Sequence, residues 1–375
     1  MNILSVISSN DLANGGPIYI CNSQKKFLKK KCNLKIFSIN KVSILKILLY
    51  LLGFKIKKIA NIILKFNLIH FHEIWNVRIH FLALLLRKFS VPFIFSLHGN
   101  LDIWSTKHNY FIKKIFLYLF KKNFLLAAGL QVSSYDELNE ARIFINEKNI
   151  NYFLIHNGVE IKIDETTFKK KEINNDIKLL FFGRIHPKKG IEILLNALNK
   201  LKFNKKKYLL TIVGPGKKNY IKEIIDLINN LKIDSFVTIL GPVYNNISKI
   251  KLISSHDIFI LPSHEEADSI ALKESLACGT PVIISKQCRL NDVVNYNCGL
   301  IIDDNKSDNL VLAIKKMSNK DLINTMAKNS IKLINEKYTS DLVNKNFYDI
   351  YLDVMCGTRF SKNWSCNHII PSQFN

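Results

Sequence analysis

The sequence predicts an α/β protein of two doubly wound domains. Three observations predict it. Short apolar runs of strand length alternate with helical patterns along the chain. That alternation pauses in a polar, lysine-rich stretch from Ile161 to Asp176 and restarts at IKLLFFG. A chain of 375 residues, 48% of them hydrophobic, is long and apolar enough for two full cores. The expected domains are 1–165 and 166–337, with a helix at 338–355 crossing back onto the first domain and a tail at 356–375 that carries no readable motif. Two such domains would face each other across a cleft.

Composition narrows the function. The net charge is +24, which admits nucleic acid, an anionic membrane surface or phosphorylated substrates as partners. Lysine, asparagine and isoleucine are abundant throughout, and no zinc finger, aromatic RNP-like strand pair or recognition helix is present, so nucleic acid is not expected. The seven cysteines form no CxxC pair, and their odd number argues against a disulfide framework. Cys278, Cys288 and Cys298 are spaced too widely for a zinc knuckle. The N-terminus, MNILSVISS, lacks the basic region of a signal peptide and reads as a first strand, so a cytoplasmic protein is expected. The most apolar stretches are broken by lysines every few residues, which argues against a spanning helix.

In chain order, residues 2–8 read as a buried strand that runs into a turn with Gly15, Gly16 and Pro17 before a helix. This is not GxGxxG; a plain tight turn and a place where backbone approaches phosphate both fit. LKIFSIN is the second strand. Residues 42–65 interleave apolar residues and lysines at helical spacing, as an interfacial helix does and as a helix packed on its own sheet with a wet lysine face also does. The strand LIHFHEIW delivers His72 and Glu73, and PFIFSLHGN delivers His98 and Gly99. No HExxH helix accompanies them, so no metal site is predicted. A basic helix covers 110–124, and GLQVSS and YFLIHNGVE supply further strands.

In the second half, IKLLFFG is followed by RIHPKKG and a helix from Ile191. Arg184 and Lys189 flank a proline turn beside that helix's N-terminus, an arrangement suited to a diphosphate. YLLTIVGPG and VTILGPV follow as strands. The run Ser255–Pro281 organises the rest: a strand, a polar loop, a short helix starting near Ser269, and a Gly-Thr-Pro turn into another strand. Glu266 in the loop and Glu274 in the helix are eight positions apart, and Ser269 is placed to cap the helix. Such loops lie at the carboxyl edge of a parallel sheet, where ligands bind.

Taken together, NGGP, SLHGNLDIWSTK, HNGVE, FFGRIHPKKGIEILLNAL, LTIVGPG, VTILGPV and HDIFILPSHEEADSIALKESLACGTPVI resemble the retaining glycosyltransferases of family four, which have the GT-B fold of two Rossmann-like domains. The resemblance runs from Met1 to about Leu352, and SLHGNLDIW resembles members that build bacterial surface polysaccharides. It implies an enzyme that moves a hexose or N-acetylhexosamine from a nucleotide diphosphate sugar, UDP-linked in preference to GDP-linked, with neither cofactor nor metal. The implied acceptor is a glycan or a polyprenyl-diphosphate-linked glycan, and the basic helices imply peripheral attachment to the inner face of the plasma membrane.

Residue by residue, the resemblance makes Arg184 and Lys189 the diphosphate-binding pair and Glu266 and Glu274 the EX7E acids. Glu266 would face the reacting centre, and Glu274 would hold the ribose hydroxyls. His98 would meet the sugar's hydroxyls, Gly15 and Gly16 the phosphates and acceptor, Gly241 to Val243 the base, and Ser269 and Ile270 the donor through backbone N–H groups. Where family members commonly have Glu-Gly-Phe-Gly, this chain has Glu266, Ala267, Asp268 and Ser269, which places an extra negative charge beside the expected donor. Retention of configuration leaves two routes open, double displacement through Glu266 and a same-face reaction without a protein nucleophile. The rival readings are a GT-B epimerase or phosphorylase, and a nucleotide-sugar-binding partner without activity.

Overall fold

The computed structural model describes residues 1–9, 16–41, 43, 63–102, 110–163, 176–356 and 369–370. Gly15, Trp104 and most of the 42–65 segment lie outside them. The chain divides into two units, Met1–Gly158 with Ser340–Asn375, and Val159–Thr339.

The first unit contains β1 (Asn2–Ile7), α1 (Gly16–Leu28), β2 (Asn33–Ser38), β3 (Leu68–Phe71), α2 (Val77–Lys88), β4 (Phe93–Ser96), α3 (Tyr110–Leu126), β5 (Gly129–Val132), α4 (Tyr135–Ile145) and β6 (Tyr152–Leu154). Its sheet runs β13-β6-β5-β4-β3-β1-β2, where β13 (Ile369–Ile370) pairs antiparallel to β6 and every other neighbour is parallel. The strands β3, β4 and β5 are buried along their whole length, because helices cover both faces of a parallel sheet. That double burial is why they read as mainly apolar runs, with the polar His70, Ser96 and Gln131 buried among them.

The second unit contains β7 (Ile177–Phe182), α5 (Ile191–Leu201), β8 (Tyr208–Val213), α6 (Lys218–Asn230), β9 (Val237–Leu240), α7 (Asn246–Ser254), β10 (Ile258–Leu261), α8 (Ile270–Ala277), β11 (Val282–Ser285), α9 (Asp292–Asn295), β12 (Gly299–Ile302), α10 (Ser307–Met317) and α11 (Lys320–Leu333). Its sheet is parallel throughout, in the order β12-β11-β10-β7-β8-β9. The central strands β10 and β11 are fully buried, whereas edge strand β9 alternates between half-buried and exposed. Helix α5 shows how the sequence sets the packing: Ile191, Leu194, Leu195, Leu198 and Leu201 recur at helical spacing and are all buried.

The last helix, α12 (Ser340–Met355), belongs to the first unit. Its Val343, Phe347, Ile350 and Tyr351 pack with Ile3, Leu34, Leu68, Ile94 and Phe153. The two points where the chain passes between units run side by side: Val159 donates its N–H to Tyr338 O at 2.9 Å and forms a parallel bridge with Thr339.

Candidate functional site

Strand order in the second sheet reverses between β7 and its neighbours β10 and β8. The loops leaving β7 and β10 therefore part from one another at a switch point, the place where open α/β sheets bind ligands. Arg184 and Lys189 are on the first loop, Glu266 on the second.

The β7 loop is pinned from three directions. Gly183 N–H donates to Val213 O at 2.9 Å and Ile185 N–H to Pro215 O at 2.7 Å, joining it to the loop after β8. His264 N–H donates to Lys188 O at 2.8 Å, joining it to the loop after β10. His186 Nδ1 accepts from Lys188 N–H at 3.1 Å and caps the turn Pro187–Lys189. Gly190 closes that turn at φ +63°, and a Cβ there would lie 2.1 Å from Pro262 O, so only glycine fits. His186 is held below the usual histidine range by its partial burial and then by Arg184, Lys189, Lys188 and Lys217. The same four cations make this rim strongly electropositive.

Lys189 and Glu266 form an ion pair, and Ser263 Oγ donates to the same carboxylate oxygen at 2.7 Å. The Glu266 N–H is held by Gln287 O at 3.1 Å. Beside it, Glu265 pairs with Arg289, both nearly buried.

Asp268 does not add its charge to the electropositive rim unopposed. It pairs at 2.6 Å with Lys273, whose side chain is fully buried and lies 4.2 Å from the centre of the Tyr338 ring. A buried ammonium requires a counterion, and Asp268 supplies it. Ser269 is the N-cap of α8, its Oγ accepting from Leu272 N–H at 3.4 Å, which places Ile270 at the first helical position. Glu274 lies inside α8, nearly buried, and pairs with Lys249 of α7. Burial raises the Glu274 carboxyl above the ordinary carboxylate range, against the opposing pull of Lys249. Gly241 and Val243 follow β9; Gly241 is exposed with open space around it, and Val243 packs against the core.

In the first unit, the loops after β1 and β3 meet at that sheet's own switch point. They line a hollow of about 320 Å³ with Ser8, Ser9, Pro17, Asn40 and Glu73. Ser8 donates to Glu73, and Asn76 Nδ2 donates to Ser8 Oγ at 2.9 Å. Gly16 opens α1 beside it. His98 follows β4 at φ +49°, and its Nε2 is 3.1 Å from His72 Nδ1. His70, completely buried, bridges Tyr351 OH and Ser96 Oγ at 2.7 Å each. Burial pushes His70 and His72 well below the usual range, so both are neutral.

The structure thus joins Lys189 to Glu266 and finds for Glu274 a partner, Lys249, that sequence reasoning missed. Lys249 and Arg289 lie outside every quoted stretch, and Ser263 and Lys273 lie within the stretch around Glu266 and Glu274 without being singled out there. Among the described residues no group of three or more His, Cys, Asp or Glu is placed to hold a metal ion.

Comparison with known proteins gives these features a context. Residues 162–333 match the family described as Glycosyl transferases group 1. An uncharacterized glycosyltransferase of Methanocaldococcus jannaschii is 30% identical over 190 residues, 49% of this chain and 47% of that protein. The chain spans about half to two thirds of the length of three curated relatives that it matches. Among solved structures, HepE of Anabaena in complex with UDP and glucose has a TM-score of 0.74 at 18% identity, over 94% of this chain and 100% of that one. WaaG, a glycosyltransferase involved in lipopolysaccharide biosynthesis, has a TM-score of 0.68 at 14% identity, over 95% and 100%. The chain has the two Rossmann-like units of the GT-B fold, and the match to Glycosyl transferases group 1 falls within its second unit.

Proposed function

We propose that the chain is a retaining glycosyltransferase that moves a sugar from a nucleotide diphosphate donor, UDP-linked by preference, to a lipid-linked glycan acceptor. The observation that carries this reading is the Lys189–Glu266 pair at the switch point of a unit matching glycosyl transferases group 1, beside Arg184 on an electropositive rim. In the reaction the bond from the anomeric carbon to the β-phosphate oxygen breaks, and the acceptor oxygen bonds to that carbon. The acceptor's proton passes to the departing phosphate. Arg184, Lys189 and the N–H groups of Ser269 and Ile270 stabilise the charge that develops on the phosphate. Glu274 receives the ribose hydroxyls, the backbone at Gly241–Val243 holds the base, and His98 meets a sugar hydroxyl. Glu266 faces the reacting carbon and stabilises its positive charge. One of its oxygens already holds an ammonium and a hydroxyl, which makes it a poor nucleophile and favours the same-face route. Gly15 and Gly16 and the hollow at Ser8 and Glu73 receive the acceptor.

A donor panel of nucleotide sugars, scored for hydrolysis and for transfer to lipid-linked acceptors, tests the reading. Transfer from one donor is the expected result. Interconversion of a donor sugar without acceptor would mean an epimerase, and binding without turnover across all acceptors would mean a partner protein.

Helix α3 supports a membrane-borne acceptor. Phe111, Ile112, Ile115, Tyr118 and Leu119 form an outward apolar stripe, with Phe111 and Tyr118 80% and 82% exposed, while Leu117 and Phe124 are buried on the opposite side. Lys114 and Lys122 are exposed along the stripe, Lys121 pairs with Glu147 at 2.6 Å, Lys113 lies over the Trp75 ring on the inward side, and the helix contains no acid. An apolar stripe between lysines fits a bilayer surface of anionic lipid. The expected result is flotation with phosphatidylglycerol vesicles at low salt and weakening in high salt. Phe111→Ser with Tyr118→Ser should reduce that binding at least tenfold and leave transfer to a soluble acceptor unchanged. Equal binding by the double variant would remove α3 from the interface. No helix among the described residues is long and apolar enough to cross a membrane.

A further inference from the structure

Lys249 has no place in the readings above, yet it is one of the most enclosed lysines of the second unit. It lies on α7, the helix that follows the expected base-binding turn, and its side chain is 9% exposed against 4% for Glu274. It is anchored at its own N–H by Asn245 O at 2.9 Å, and the Asn245 side chain caps the helix at Ser248 N–H. A lysine placed here sacrifices most of its hydration, and the Glu274 carboxylate is what offsets that loss.

We propose that Lys249 is a positioning residue of the donor site, which fixes the Glu274 carboxylate in one orientation so that its remaining oxygen can accept the ribose hydroxyls. This rests on the donor reading of the second unit. The geometry gives the reason. Lys249 holds Glu274 Oε1, so the side chain cannot rotate freely and Oε2 is the oxygen left to a ligand. The chemistry gives a second. A protonated carboxyl would offer one hydrogen as well as acceptors, and would lose the strong charge-assisted bonds that a ribose diol makes to a carboxylate. The influences on Glu274 are its burial, which raises its carboxyl, Lys249, which lowers it, and Glu160, which raises it. Removing Lys249 therefore leaves burial and Glu160 unopposed, and the carboxyl holds its proton to a higher pH.

The test is calorimetric titration of the full chain with UDP and with 2′-deoxy-UDP at pH 6 and pH 8. The wild type should bind UDP at both pH values and prefer it to the deoxy compound. Lys249→Met should bind UDP about tenfold more weakly at pH 8 and weaker still at pH 6, with the preference for the 2′-hydroxyl largely lost. Lys249→Arg should restore both. In a Glu274→Gln background, which buries no unpaired charge when Lys249→Met is added, the lysine substitution should change UDP affinity less than twofold. Wild-type discrimination in Lys249→Met, or an equal loss at both pH values with discrimination retained, would overturn the proposal. So would a large effect of Lys249→Met in the Glu274→Gln background, which would make Lys249 a direct ligand contact. A wild type that binds no nucleotide overturns the donor reading itself.

Discussion

Arg184→Ala is expected to lower the turnover of sugar transfer by about 10²-fold or more while leaving thermal unfolding close to that of the wild type. The rate effect follows from where charge appears. A nucleotide diphosphate is already a fair leaving group, so the barrier lies in separating a cationic sugar from an anionic phosphate. Preoriented donors at such a position contribute roughly 3–4 kcal/mol each, and about 1.4 kcal/mol is a factor of ten in rate. The small stability effect follows from exposure: Arg184 stands at the rim, so its removal buries no lone charge. Arg184→Lys should fall between the two, since it keeps the charge and loses the planar fork. Turnover is measured on the donor identified by the panel. An alanine variant with normal turnover would remove Arg184 from the leaving-group site.

Lys273→Met is expected to destabilise the second unit by about 3–5 kcal/mol, read as a fall in its urea midpoint. Lys273 is fully buried and Asp268 is 7% exposed, so methionine leaves an enclosed carboxylate without the compensating charge of the lysine. The paired replacement Lys273→Met with Asp268→Asn should recover most of the loss, because neither charge then remains inside. The direction of the lysine's own titration supports this. Burial lowers it despite the opposing influence of Asp268, so the site disfavours the lone ammonium and the carboxylate is what keeps it charged. A Lys273→Met protein as stable as the wild type would mean that water reaches Asp268.

The strands were legible in the sequence because they are buried on two faces. IKLLFFG, HDIFILP and TPVIIS read as strands for that reason, and Ser269 read as a helix cap because Ser is followed by an apolar helical run. What sequence could not supply was adjacency. That the loops of Arg184 and Glu266 leave neighbouring strands depends on the order β10-β7-β8, which no local pattern encodes. The partners of Glu274 and Glu265 are 25 and 24 residues away, on segments that look like an ordinary helix and an ordinary turn. Asp268 shows the same limit in reverse. Its position in the sequence brings negative charge toward the expected donor, whereas the fold matches it with an interior lysine five residues on. The two-residue strand β13 went unread because so short a pairing has no periodicity.

The side-by-side passage of the chain at Val159 and Thr339 makes the second unit an insertion into the first. Both of its ends emerge at one spot, so residues 159–339 should accept excision or circular permutation without a linker stretched across them. The first unit, by contrast, is completed only when α12 returns to its sheet. A protein shortened before Ser340 would lose Phe347 and Tyr351 from that core and lay bare the apolar surface beneath them, while the excised cassette would keep its own sheet whole.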